Sequence, residues 1–172
     1  MMQNKNLIFL IAGALVFGGL IAILGSNTAS NEKNELSNSA KYSANVLVSQ
    51  ENSFDFGTIS MKNGKVSHIF EIQNKENEPV IIEKVYTSCM CTIAYISTAD
   101  GKKYGGFGMP GHTSANTKIE VKPGEKTSVE VVFDPAAHGP SGVGLAQRSV
   151  YLETNSAKSP KLEFAFQAMV TR

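Results

Sequence analysis

Apolar and polar residues alternate with a period of two in four stretches of this chain. Val66, His68, Phe70 and Ile72 share one face of residues 65–74, and Val129, Val131 and Phe133 share one face of residues 126–133. Arg148, Val150 and Leu152 alternate in the next run, and Leu162, Phe164, Phe166, Ala168 and Val170 in the last. Successive side chains of a strand point to opposite faces, so this period predicts half-buried strands. Turn signals separate the runs: Lys62-Asn63-Gly64, Asn77-Glu78-Pro79, Lys122-Pro123-Gly124 and residues 155–160. No amphipathic stretch of helical period lasts three turns. The pattern predicts an all-β fold, an Ig-like antiparallel β-sandwich over residues 45–172.

The N-terminal part follows a different rule. Residues 7–24 read LIFLIAGALVFGGLIAIL without a charge. At about 1.5 Å per residue a helix of that length spans roughly 27 Å, close to a hydrocarbon core. A secretory signal core is shorter and ends in a small-residue cleavage site, and residues 25–30 offer no clean A-x-A. A retained anchor is therefore expected ahead of a cleaved signal. No Cys follows the segment, which excludes lipoprotein processing. Lys5 is the only charge before it, so the positive-inside rule puts residues 1–6 in the cytoplasm and the rest outside. Residues 25–44, rich in Asn, Ser and Ala, read as a flexible stalk. The expected location is a single-pass membrane protein with its C-terminal domain periplasmic or extracellular.

Composition narrows the function. A net charge of +1, with no run of like charge, argues against a nucleic-acid partner. Two Cys are too few for a disulfide scaffold, so their placement becomes a chemical question.

Several motifs carry a resemblance. Phe54-Asp55-Phe56-Gly57-Thr58-Ile59, Val66-x-His68-x-Phe70-x-Ile72-x-Asn74, Pro79-Val80-Ile81-Ile82 and Ser88-Cys89-Met90-Cys91-Thr92 stand in order. Residues 121–125 (VKPGE) and 129–135 (VEVVFDP) follow them. Together they resemble a bacterial Ig-like family of unknown function, with an F-D-F-G-x-I, S-C-G-C-T, P-G-E signature. The resemblance implies an exported domain related to the Hydin-like superfamily of β domains, and it implies no activity. Here Met90 replaces the usual Gly, and residues 95–117 form a longer insert.

Cys89 and Cys91 follow a strand expected over residues 80–86. In extended geometry their Cα atoms would stand about 6.6 Å apart, at the outer limit for a disulfide; a bulge or turn would shorten the gap. Stretched to that limit, a bridge would be readily reduced. The alternative use of two thiols on one face is a soft metal ion, copper(I) ahead of zinc. Met109 and His112 in the insert, and His138 in the loop of residues 134–140, supply further donor types. Loops at one end of a sandwich cluster, so these residues are candidates to complete the site. An inert pair beside two exposed histidines is the third reading.

Other features weigh less. Tyr104 and Phe107 in the Gly-rich insert are candidates for a partner-binding tip. Residues 106–111 match G-x-G-x-x-G, but Pro110 and the β context remove the strand–helix setting a dinucleotide needs. Asp134, His138 and Ser141 are crowded into one loop, a poor geometry for a hydrolase triad. His68 is expected to pack beside the core, and Arg148 to clamp a carboxylate such as Asp134 or loop carbonyls. The function expected is a non-enzymatic binding or scaffold module of the cell envelope, held by its helix in the membrane and facing a protein partner. The alternative is a copper-binding or thiol-redox domain centred on Cys89 and Cys91.

Overall fold

A computed structural model describes residues 47–113 and 115–172. The predicted cytoplasmic segment, anchor and stalk (residues 1–44) lie outside the described residues. Among the described residues no helix is long and apolar enough to cross a membrane.

The strands are β1 (Leu47–Ser49), β2 (Ser53–Ser60), β3 (Val66–Asn74), β4 (Val80–Thr87) and β5 (Thr92–Ser97). They continue as β6 (Lys103–Phe107), β7 (Asn116–Val121), β8 (Lys126–Phe133), β9 (Gly144–Thr154) and β10 (Lys161–Thr171). They form two five-stranded sheets, ordered β1-β3-β8-β5-β6 and β2-β10-β9-β4-β7. The four alternating stretches are β3, β8, β9 and β10, with the predicted faces turned inward. Phe70 and Ile72 of β3, Val129 and Val131 of β8, Val150 and Leu152 of β9, and Phe164, Ala168 and Val170 of β10 are all buried. Phe70 meets Phe164 of the opposite sheet at 4.9 Å between ring centroids, so the two sheets are joined through aromatic packing.

Two expectations need correction. The sandwich is not wholly antiparallel, because β2 pairs parallel with β10, from Ser53↔Ala165 to Ser60↔Thr171, with a shift of register between Gln167 and Met169. The chain enters β2 from the other sheet and leaves it for the other sheet. No hairpin therefore ties β2 to its neighbour, and nothing imposes antiparallel pairing. The insert, read above as a Gly-rich segment, also contains strand, since β6 and the start of β7 lie within it. Gly105, Gly106 and Gly108 hide the alternation there, for they contribute no side chain to either face.

His68 packs beside the core as expected. Its ring stacks on Phe54 at 3.6 Å and meets Phe70 edge-on, while Nε2 reaches Glu51 at 2.9 Å. Among consecutive strands only β5–β6 and β9–β10 are paired; the other connections cross between the sheets. Two crossings, residues 88–91 from β4 to β5 and residues 134–143 from β8 to β9, meet at one end of the sandwich. That end carries the cysteines.

Candidate functional site at the Cys89–Cys91 turn

The short crossing after β4 turns sharply because its main chain is fixed on three sides. Thr92 N–H donates to the carbonyl of Cys89 at 3.1 Å, closing a tight turn. The buried Thr87 hydroxyl faces two carbonyls, those of Cys89 at 2.9 Å and Thr92 at 3.2 Å. Ser88 pairs with Ser149 of β9: its N–H donates to the Ser149 carbonyl, and its hydroxyl accepts from the Ser149 N–H, both at 2.9 Å. The N–H of Asp134, just past β8, donates to the Cys91 carbonyl at 2.9 Å. The turn brings the Cα atoms of Cys89 and Cys91 to 5.3 Å, and their sulfurs are joined in a disulfide. That separation lies well inside the range disulfides adopt. A turn, in place of extended geometry, therefore sets the spacing of the pair.

The two sulfurs have different surroundings. Cys91 is buried, 2% exposed, whereas Cys89 is only partly buried at the edge of the core. Met90 between them is 52% exposed at the tip of the turn. Arg148 of β9 donates Nε–H to Cys91 Sγ at 3.2 Å and Nη1–H to the Gln147 carbonyl at 2.7 Å. The Thr92 hydroxyl stands 3.7 Å from the same sulfur. On the other side, His138 Nε2 is 3.2 Å from Cys89 Sγ. The ligand atoms of Cys89, Cys91 and His138 lie within 4.8 Å of one another.

His138 is placed by the loop that follows β8. The Asp134 carboxylate accepts from Ala136 N–H at 2.9 Å, and Gly139 N–H donates to the Ala136 carbonyl at 2.9 Å. Gly139 opens a 3-10 turn, Gly139–Gly142, with φ +56°, a conformation that favours glycine. The Ser141 hydroxyl donates to the His138 carbonyl at 2.7 Å, which ties the turn back to the histidine.

Of the predicted metal donors the structure brings together Cys89, Cys91 and His138, and it leaves His112 out of the cluster. Met109 and His112 belong to a turn of their own, closed by His112 N–H on the Met109 carbonyl at 3.1 Å. Gly108 anchors that turn, with its carbonyl on Thr87 N–H and its own N–H on the Thr113 hydroxyl at 2.6 Å. Tyr104 and Phe107 do not form an exposed tip. Both lie on β6, where Phe107 is buried at 7% exposure and Tyr104 packs partly buried against the core.

Arg148 is the residue whose target the sequence did not disclose. A cation on the face of Val150 and Leu152 must find a partner inside, and the expected partners are a carboxylate such as Asp134 or loop carbonyls. The partners it finds are the Cys91 sulfur and the Gln147 carbonyl of its own strand. An open groove of about 670 Å3 borders this end, lined in part by Ser88, Arg148, Gln147, Phe54, Asp55 and Gln167.

Comparison with known proteins agrees with the architecture and assigns no activity. No curated protein matches the chain. A solved protein of unknown function from Porphyromonas gingivalis W83 has the same fold, with TM-score 0.54 and 17% identity over 77% of this chain. This chain spans about half of that protein, 51% of its length. The ASH/PapD-like domain 7 of human CEP192 is more distant, with TM-score 0.45 and 15% identity over 73% of this chain and 85% of that one. The family described as "Protein of unknown function (DUF1573)" matches residues 47–103, a span that contains both the F-D-F-G-T-I strand and the S-C-M-C-T turn.

Proposed function

We propose that this chain is an extracytoplasmic, membrane-tethered Ig-like module of the Hydin-like kind that binds a protein partner and carries a redox-active disulfide at Cys89–Cys91. One observation carries the redox reading. Each sulfur of the pair has its own polar side chain within 3.2 Å, His138 on Cys89 and Arg148 on Cys91. An inert structural disulfide has no need of a cation aimed at its buried sulfur.

The chemistry follows from the asymmetry. A thiolate of the partner attacks Sγ of Cys89, the less buried residue of the pair, forming a mixed disulfide and breaking the Cys89–Cys91 bond. The electron pair of that bond leaves on Cys91 Sγ as a thiolate. Arg148 Nε–H already points at this atom, and the Thr92 hydroxyl is beside it. A stabilised thiolate is the better leaving group. A second partner thiolate then attacks the partner sulfur of the mixed disulfide and releases Cys89 as a thiolate. His138 is placed to protonate it. The outcome is a Cys89 thiol and a Cys91 thiolate here and a disulfide in the partner.

The test is equilibration of the full chain, purified in detergent, across a series of glutathione buffers, with alkylation of free thiols and mass measurement. The expected result is a single two-electron transition in which Cys89 and Cys91 gain their alkyl groups together. A pair that stays oxidised across the whole series, or one never oxidised at all, would overturn the redox reading. The tether rests on the uncharged run of residues 7–24. Protease added to intact cells, after permeabilising any outer membrane, should digest the β-domain. Digestion only after lysis of the inner membrane would place the domain on the cytoplasmic side and sink that part of the proposal.

A further inference from the structure

The dithiol form of this site has the makings of a metal centre. We infer that, once reduced, it binds one copper(I) ion through Cys89 Sγ, Cys91 Sγ and His138 Nε2, with Arg148 as the charge partner of the complex. The inference rests on the redox reading only in requiring that the disulfide can be opened.

Geometry is the first support. The three donor atoms come from two separate sheet crossings, and all lie within 4.8 Å of one another. Three-coordinate binding with bonds near 2.3 Å needs sulfurs about 4 Å apart. Rotation of two cysteine side chains on a turn with Cα atoms 5.3 Å apart supplies that without moving the main chain. The main chain is already held by Thr87, Ser88 and Asp134.

Charge and coordination number then choose the ion. Two thiolates and Cu(I) carry a net charge of −1, and the Arg148 guanidinium, 3.2 Å from Cys91 Sγ, brings the partly buried assembly to zero. Two thiolates, a neutral imidazole and Zn(II) are already neutral, which would leave Arg148 uncompensated beside the metal. Structural zinc also takes four ligands. Among the described residues the cluster holds three His, Cys, Asp or Glu side chains and no fourth. Soft thiolates favour Cu(I), and a hydrogen bond onto a ligating sulfur is the kind of outer contact that tunes such sites.

Binding is a proton exchange: Cys89–SH, Cys91–SH and Cu(I) give the bis-thiolate complex and two protons. The disulfide and the metal use the same sulfur electrons, so the two states exclude each other. Oxidation of the pair by a disulfide releases the ion, and bound ion withholds the thiols from exchange.

The experiment uses the full chain in detergent, reduced with a phosphine under argon, with an alkylated aliquot confirming two free thiols. The coloured Cu(I)–bicinchoninate complex is the probe. The expected result is withdrawal of one Cu(I) per chain, at an affinity that rises with pH. Cys91→Ser should weaken it at least a hundredfold. His138→Ala, on an exposed loop, and Arg148→Gln should each weaken it about tenfold. An equal concentration of Zn(II) should leave the copper in place. Failure to withdraw copper with two thiols free, unchanged uptake in both Cys91→Ser and His138→Ala, or displacement by Zn(II) would each overturn the inference. The two readings fail separately: copper uptake after phosphine reduction stands even if glutathione never opens the pair, and glutathione exchange stands even if no copper is bound.

Discussion

Arg148 is held by two acceptors, a sulfur and a main-chain carbonyl, and so cannot swing to solvent without losing both. Its preference for the thiolate form of Cys91 stabilises the reduced state relative to the disulfide. Arg148→Gln should therefore make the disulfide harder to reduce. Discounting a charge-assisted hydrogen bond for partial exposure leaves about 1 kcal/mol, a shift of the midpoint by about 20 mV to more negative potential. Glutathione titration of the variant measures this directly; a shift to positive potential would mean that Arg148 favours the oxidised pair. On the outer face of the same sheet, Lys84 holds the Glu153 carboxyl below the usual carboxylate range, chiefly by a hydrogen bond, and the Tyr86 hydroxyl adds a second. A depressed carboxyl stabilises the fold above its unfolded pKa and loses that contribution as pH falls through the folded value. Glu153→Gln should accordingly lower the urea midpoint at pH 7 and leave it nearly unchanged at pH 3. A gap that persists at pH 3 would point to packing in place of charge.

At the scale of elements, β6 shows how little side chain an edge strand needs. Gly105 stands opposite Tyr95 of β5, and a Cβ there would come within 2.1 Å of the Tyr95 ring. That ring carries Lys103 Nζ over its face at 4.5 Å. Gly105→Ala must therefore displace the tyrosine, and a cost of about 1–3 kcal/mol in urea unfolding is expected. Because β6 runs on into the turn of Met109 and His112, hydrogen exchange should speed up in β6 and that turn first. Uniform destabilisation of both sheets would show that β6 is not a local unit. The same strand explains why the insert shows no strand period in the sequence. Periodicity is carried by side chains, and a glycine-rich edge has too few of them to display it. β3, β8, β9 and β10 were legible for the opposite reason, each offering at least two large apolar residues at alternate positions on one face. The parallel pairing of β2 left no local mark, because it depends on where two distant segments meet.

The described residues form two sheets closed over one core, and Phe70 is at its centre: fully buried, against Phe164 of the opposite sheet, with His68 edge-on beside it. Phe70→Ala should cost about 3–5 kcal/mol, because the rigid sheets cannot collapse into the cavity. Urea unfolding at constant m-value measures it; a cost under about 1 kcal/mol would show that the sheets repack. By itself the sequence determined the strand class, the inward faces of four strands and the candidacy of Cys89, Cys91 and His138. Each of these is a local property, set by a period of two or by the chemistry of a residue type. Only the tertiary structure decided which candidates meet. His138 lies 49 positions from Cys89, and Arg148 lies 57 from Cys91. What joins them is the order of strands across two sheets, which sends the β4–β5 and β8–β9 crossings to the same end. Nothing local could set His112 apart from His138, both histidines in Gly/Pro-rich loops. Sheet order did, by putting one loop beside the sulfurs and leaving the other outside the cluster.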